Sequence, residues 1–215
     1  VVDEVIAATR PGLAADAVVI DHSTTLPRLT ALRAERLRAE GIAYLHCPVF
    51  MGPAAARSAQ GSMLAAGPRA PFERVEPELA RMTGRVEYLG ERADLAAANK
   101  LLGNAMLLGL VAVTADVLTL ARANDVGAAD AVRLLSMLDL NGMVGGRGAK
   151  MAAGDFAPSF ELTMARKDVR LMLETAGNRP LATLRAIADR MDQLIAAGLG
   201  DRDPSVLAID AVRPA

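Results

Sequence analysis

The sequence predicts an α/β fold that gives way near residue 92 to an all-α part. Three observations carry this expectation. Short strand-like runs alternate with amphipathic stretches as far as residue 90, and no convincing strand signal follows. Immediately after the change, residues 94–124 have the composition of one helix of about 30 residues, long by globular standards. Strands separated by helices with short connections imply a parallel or mixed sheet covered by helices. Two domains are therefore expected, 1–92 and 93–215.

"ADAVVIDHS" (15–23) reads as a β-branched strand ending in polar residues. Residues 26–41 form an amphipathic helix with Pro27 near its start and Gly41 as its stop. "IAYLHCPV" (42–49) is a second apolar strand, and "GSMLAAG" (61–67) a weaker third one bracketed by glycines. Residues 71–84 place Phe72, Val75, Leu79 and Met82 on one helical face, and "RVEYLG" (85–90) is a last short strand. Beyond residues 94–124, amphipathic helices are expected over 128–140, 162–178 and 181–198. Residues 141–160, "NGMVGGRGAKMAAGDFAPSF", read as a glycine-rich loop carrying Arg147 and Lys150.

Composition narrows the function. The 215 residues are 52% hydrophobic, enough for a sizeable core, and 24 basic residues face 25 acidic ones. No basic field exists to draw in nucleic acid or an anionic bilayer, and with 3% aromatic residues stacking platforms are scarce. Cys47 is the only cysteine, so no intrachain disulfide forms and a reducing cytoplasm is the simplest home. His46 and Cys47 are adjacent and His22 is the only other histidine, a poor basis for a metal site. The acidic start "VVDEVIAATRPGL" does not resemble a secretory signal. The apolar run 101–115 falls short of the roughly 20 residues that span a bilayer, so a buried helix of a soluble protein is expected there.

Candidate chemistry begins with "NKLLGN". In residues 95–115 Lys100 is the only formal charge, and Asn104 lies one turn away on the same helical face. Lys100 either snorkels to solvent or is desolvated, with a lowered pKa suited to proton transfer at a substrate oxygen. The pair Lys167–Asp168 reads on its own as an exposed helix pair. "DHSTTLP" (21–27) follows a strand end, where α/β proteins place ligand loops, although a plain Asx or Ser turn has the same sequence.

The ordered set "DHSTTLP", "CPVFMGP", "NKLLGN", "DFAPSFELTMARKD" and "GLGDRDPS" resembles the β-hydroxyacid dehydrogenase family. That family includes 3-hydroxyisobutyrate and tartronate-semialdehyde enzymes and is related to 6-phosphogluconate dehydrogenases. The resemblance implies a Rossmann-type NAD(P)-binding domain, then an all-α domain, with the active site in the cleft between them. It makes Lys100 the catalytic acid/base, Asn104 a substrate contact, and Thr24 and Lys167 contacts to NAD or NADP. It further implies a small-molecule substrate and a homodimer or homotetramer with helical domains in contact.

Two departures from the family pattern stand out. No G-x-G-x-x-G turn is present, and the sequence opens on what reads as a helix in mid-domain. The expectation is that the first half of the dinucleotide-binding domain is missing and that these residues alone bind cofactor poorly. The substrate loop, Pro-Val-Ser-Gly-Gly in the family, here reads Pro48-Val49-Phe50-Met51-Gly52-Pro53. Phe50, Met51 and Gly52 remain the expected substrate-facing positions, but the serine hydroxyl is gone and the substrate should be less polar or differently shaped. An anion site rebuilt on Arg147 or Lys150 is the other way to hold a charged substrate. The leading reading is a hydride-transferring oxidoreductase acting on a hydroxyacid-like alcohol. The alternatives are an imine-reductase-like variant and a non-catalytic scaffold or dimerisation module.

Overall fold

The computed structural model describes residues 1–212; positions 213–215, assigned above to the helical part, lie outside the described residues. The chain divides into two units, Val1–Leu107 and Leu108–Ala215, each with a core of its own.

The first unit is a mixed sheet with helices on both faces. It runs α1 (Val2–Thr9), β1 (Val18–Asp21), α2 (Pro27–Ala39), β2 (Ala43–His46), β3 (Val49–Phe50), α3 (Pro53–Arg57), β4 (Ser62–Ala65), α4 (Arg69–Met82) and β5 (Arg85–Tyr88). β1 and β2 pair in parallel with Val18 opposite Ala43 and Asp21 opposite His46, and β4 and β5 pair in parallel with Ser62 opposite Arg85. β3 is antiparallel to β4, and an antiparallel bridge between His46 and Ala66 joins the two halves. Pro27 opens α2, where its missing N–H costs nothing, and Gly41 closes the turn at φ 73°.

Alternation along β2 sends neighbouring side chains to opposite faces. Leu45 packs with Cys47, Met63, Phe72 and Leu79 beneath α4, while Tyr44 packs with Ile6 and Leu37 beneath α1 and α2. The Phe72 and Tyr88 rings stack at 4.4 Å between centroids. Met82, expected on this buried face, is instead exposed, because the sheet has ended by the last turn of α4. Burial pushes the Cys47 thiol up to about 12, so it is a packing residue and not a nucleophile.

Arg33 is the one buried cation of α2. Its guanidinium grips Asp3 of α1 through two 3.0 Å hydrogen bonds and lies 3.5 Å from Asp21, which also accepts from the Tyr44 hydroxyl at 2.8 Å. The hydrogen bonds from Arg33 and Arg36 lower Asp3 from 3.8 to about 2. A depressed carboxylate contributes stability above its unfolded value and loses it as pH falls through the folded one. Acid unfolding of wild type should therefore steepen between pH 3.8 and about 2, and Asp3→Asn should flatten that part of the profile, followed by circular dichroism.

The long helix α5 (Asp94–Ala123) follows, and the division between the two compact units falls within it. Its early turns pack against β3, which assigns them to the first unit. The expected burial of this helix is not observed: Leu102, Leu108 and Val111 are 68%, 69% and 67% exposed. Apolar residues continue beyond 101–115, so by length and composition this helix could cross a membrane, with 6% of its most apolar stretch buried.

The second unit continues with α6 (Ala128–Leu135), α7 (Leu140–Ala152), α8 (Leu162–Ala176), α9 (Leu184–Leu194) and α10 (Ile209–Val212). α9 runs into a wide turn, Ile195–Leu199, that Gly198 closes at φ 82°. Leu162, Val169, Ala188, Met191, Leu194, Val206 and Ile209 form its core. The glycine-rich loop expected over 141–160 is corrected: most of it is α7. Asp139 caps that helix by accepting from the Gly142 N–H at 2.8 Å, which offsets the poor helix propensity of its glycines. The unit is pinned by two buried carboxylates. Asp116 of α5 accepts from the N–H groups of Ala182, Thr183 and Leu184, and Asp203 accepts from Ser159 and Ser205.

Candidate active site

Lys100 and Asn104 sit in the early turns of α5. Lys100 is 9% exposed, so it does not snorkel to solvent. Its Nζ lies 3.9 Å from the centroid of the Phe50 ring, a cation–π contact, and burial lowers its pKa from 10.5. Among the described residues no carboxylate pairs with it. A buried ammonium without a counter-charge is the state in which proton release comes most easily.

Phe50 reaches this position because β3 pairs with β4, Phe50 opposite Ser62, and because residue 103 is glycine. A Cβ on Gly103 would stand 2.4 Å from the Phe50 Cζ, so only glycine leaves room for the ring. The next residues are held from behind by Gly61, whose φ of 97° brings its backbone against Met51 and the Phe50 carbonyl. Met51 is half-buried, and exposed Gly52 precedes Pro53 at the start of α3. Asn104 is partly exposed, and its amide makes no hydrogen bond among the described residues. Lys100, Phe50, Gly103 and the Phe50–Gly52 loop are thus brought together in the first unit.

Thr24 follows the C-terminal end of β1 and is exposed. The Asx turn expected there is present, with the Ser23 N–H and hydroxyl both donating to Asp21. His22 Nδ1 donates to the Cys47 carbonyl at 2.7 Å, and buried His46 donates from Nε2 to the Ser23 carbonyl at 3.0 Å. These bonds hold the loop, on which Thr24 is exposed. Lys167, in the second unit, is half exposed and 3.2 Å from Asp168, as the sequence suggested for an ordinary surface pair. Arg147 lies 3.7 Å from buried Asp203, so its charge is already answered and it is not the free cation of a rebuilt anion site.

Sequence reasoning passed over Asp116, Asp203 and the Arg33–Asp21–Tyr44 cluster. The single acid that ends the uncharged run 101–115 within α5 was a usable signal for Asp116. The others are joined only by the fold.

The exposed Thr24 loop stands at the carboxyl end of parallel strands, where α/β proteins place ligand loops. Residues 1–90 match the family described as the NAD binding domain of 6-phosphogluconate dehydrogenase. Glyoxylate/succinic semialdehyde reductase 1 of Arabidopsis thaliana is 31% identical over 202 residues, 90% of this chain and 68% of that protein. 3-Sulfolactaldehyde reductase of Escherichia coli strain K12 is 29% identical over 205 residues, 91% of this chain and 67% of the relative. The chain thus spans about two thirds of the length of these relatives. Among solved structures, a Streptomyces aurantiacus imine reductase superposes with a TM-score of 0.84 at 24% identity, covering 99% of this chain and 76% of that one. An imine reductase from Myxococcus stipitatus superposes at 0.83 and 17% identity, over 94% and 74%, a likeness of fold.

Fold and sequence together define a nicotinamide-dependent oxidoreductase with a Rossmann-type domain. The chain belongs to the β-hydroxyacid dehydrogenase family, the group of 3-hydroxyisobutyrate and tartronate-semialdehyde type enzymes related to 6-phosphogluconate dehydrogenase.

Proposed function

We propose that the protein interconverts an alcohol and its carbonyl with NAD or NADP, and that Lys100 is the acid/base. The observation that carries this is the buried, unpaired Lys100 ammonium one turn from the partly exposed Asn104. Residue choice supports it: Lys100, Lys150 and Lys167 are the only lysines among 24 basic residues. Arginine cannot give up its proton in a protein, so a chain that otherwise uses arginine needs lysine where the charge must change.

NAD(P), when bound, supplies hydride donation or acceptance at its nicotinamide ring. Thr24 and Lys167 would hold it. In the oxidative direction neutral Lys100 takes the hydroxyl proton as the carbonyl forms. In reduction the Lys100 ammonium hydrogen-bonds the carbonyl oxygen and then protonates the developing alkoxide. Asn104 orients the reacting oxygen. The nucleotide-binding part is residues 1–92 and the helical part 93–215. Nicotinamide absorbance followed against hydroxyacids, simple alcohols and aldehydes tests the reading; no turnover despite cofactor binding would sink it in favour of the scaffold. The retained lysine favours carbonyl over imine chemistry.

The apolar surface of α5 we assign to a second copy of the chain in a homodimer or homotetramer, not to a bilayer. A spanning α5 would submerge Lys100 and Asp116, and Asp116 is already tied to α9 by its hydrogen bonds. Light scattering in detergent-free buffer should give a dimer or larger, and Leu108→Glu with Val111→Glu should dissociate it. A cytoplasmic location fits the single, buried Cys47.

A further inference from the structure

We propose that Phe50 is a positioning and specificity residue: its ring, seated in the notch at Gly103, fixes Lys100 Nζ and reserves the adjoining space for an uncharged, apolar carbonyl substrate. This rests on the reading of Lys100 as the acid/base. The contact is built from both sides. The ring face covers Nζ at 3.9 Å, and a Cβ at position 103 would overlap the ring at 2.4 Å. β-pairing to Ser62 and the close approach of Gly61 leave the Phe50 backbone little freedom to withdraw.

The surrounding chemistry selects against a carboxylate. Residues 47–56, "CPVFMGPAAA", contain no charged side chain and no hydroxyl, and Pro48 and Pro53 have no N–H to offer. A substrate carboxylate brought there would exchange its hydration for backbone N–H groups alone, such as those of Met51 and Gly52, with no charged or hydroxyl partner in the loop, and burying a charge without such a partner is costly. The nearby cation, Lys100, is committed to the reacting oxygen. An aliphatic substituent instead gains contact with Phe50 and half-buried Met51.

The test compares butanal with succinic semialdehyde, which differ by a terminal carboxylate, in the full chain with NADPH and NADH. Wild type should favour butanal in kcat/KM by about tenfold or more, and Phe50→Ser should reverse or erase that preference, chiefly through KM. Phe50→Met, which keeps an apolar side chain and adds no donor, should retain the preference.

A second readout needs no turnover. With lysine isotope-labelled at Cε, three side-chain signals are expected, and Lys100→Arg identifies one by its loss. In wild type burial holds the Lys100 signal below 10.5; it should move in Phe50→Ser and in Gly103→Ala, both of which take the ring off Nζ, and move upward where the admitted water outweighs the lost cation–π contact. Wild type preferring succinic semialdehyde, or an unmoved Lys100 titration in both displacing variants, overturns the proposal. Failure of the underlying reading is distinguishable, since Lys100→Ala would then remain active on either aldehyde.

Discussion

Lys100→Ala is expected to lower kcat by about 10²–10⁴-fold, the usual contribution of a positioned acid/base, while nicotinamide binding measured by fluorescence is unchanged. The loss should appear in both directions, because in the proposed mechanism one nitrogen takes the proton in oxidation and returns it in reduction. The pH profiles should be opposed. Oxidation needs the neutral amine, so its rate should rise with pH through the lowered Lys100 pKa; reduction needs the ammonium and should fall through the same value. The substitution also predicts a stability change of unusual sign. Folding disfavours the charged form of Lys100, so this group costs stability fully below its folded pKa, and the cost fades as pH rises toward 10.5. Lys100→Met, which keeps length and removes charge, should therefore raise Tm at neutral pH while abolishing turnover, with the gain shrinking in alkaline buffer. A Met variant that is both inactive and less stable would show that the lysine is structural.

The second large effect is expected at Asp116. Its carboxylate, 2% exposed, accepts from the N–H groups of Ala182, Thr183 and Leu184 at 2.6, 2.9 and 3.0 Å and from the Thr183 hydroxyl at 2.7 Å. These are the donors that a helix start leaves without partners, and Thr183 provides no side-chain cap of its own. Asp116 thus caps α9 from 66 residues away and meets the positive end of its dipole. Asp116→Ala should cost about 3 kcal/mol, since several buried donors lose their acceptor together. Denaturant unfolding would read it as a lower midpoint at unchanged slope. The hydrogen bonds hold the Asp116 carboxyl below its ordinary 3.8, so this contribution is present above pH 3.8 and fades as pH falls below it. Asp116→Asn, with one carbonyl oxygen and no charge, should fall between wild type and alanine.

Elements set by local pattern were legible in the sequence. α2 was marked by Pro27 and Gly41, and the strands by short apolar runs, β-branched in β1, closed with polar or glycine residues. α7 was missed because its glycines outweighed Asp139, a capping residue whose effect depends on one hydrogen bond to Gly142. Lys100 and Asn104 were legible as a pair because both lie on one helix. The burial of Lys100 was not, since it comes from a ring fifty positions away that β-pairing delivers. The exposure of α5 was equally hidden: apolar composition says that a surface needs covering, and not which molecule covers it.

The seat of Phe50 against Gly103 also orders the substitutions by which this site can change. Gly103 cannot gain even a methyl group while the ring keeps its seat, because a Cβ there would stand 2.4 Å from Phe50 Cζ and the ring would have to move. Position 50 is free to shrink first. A lineage, or a designer, that seeks a hydroxyl at position 50 can obtain it in one step, and position 103 then opens to alanine or serine. Taken in the reverse order, the intermediate has its ring expelled and its lysine displaced, so one of the two routes between these sequences is closed.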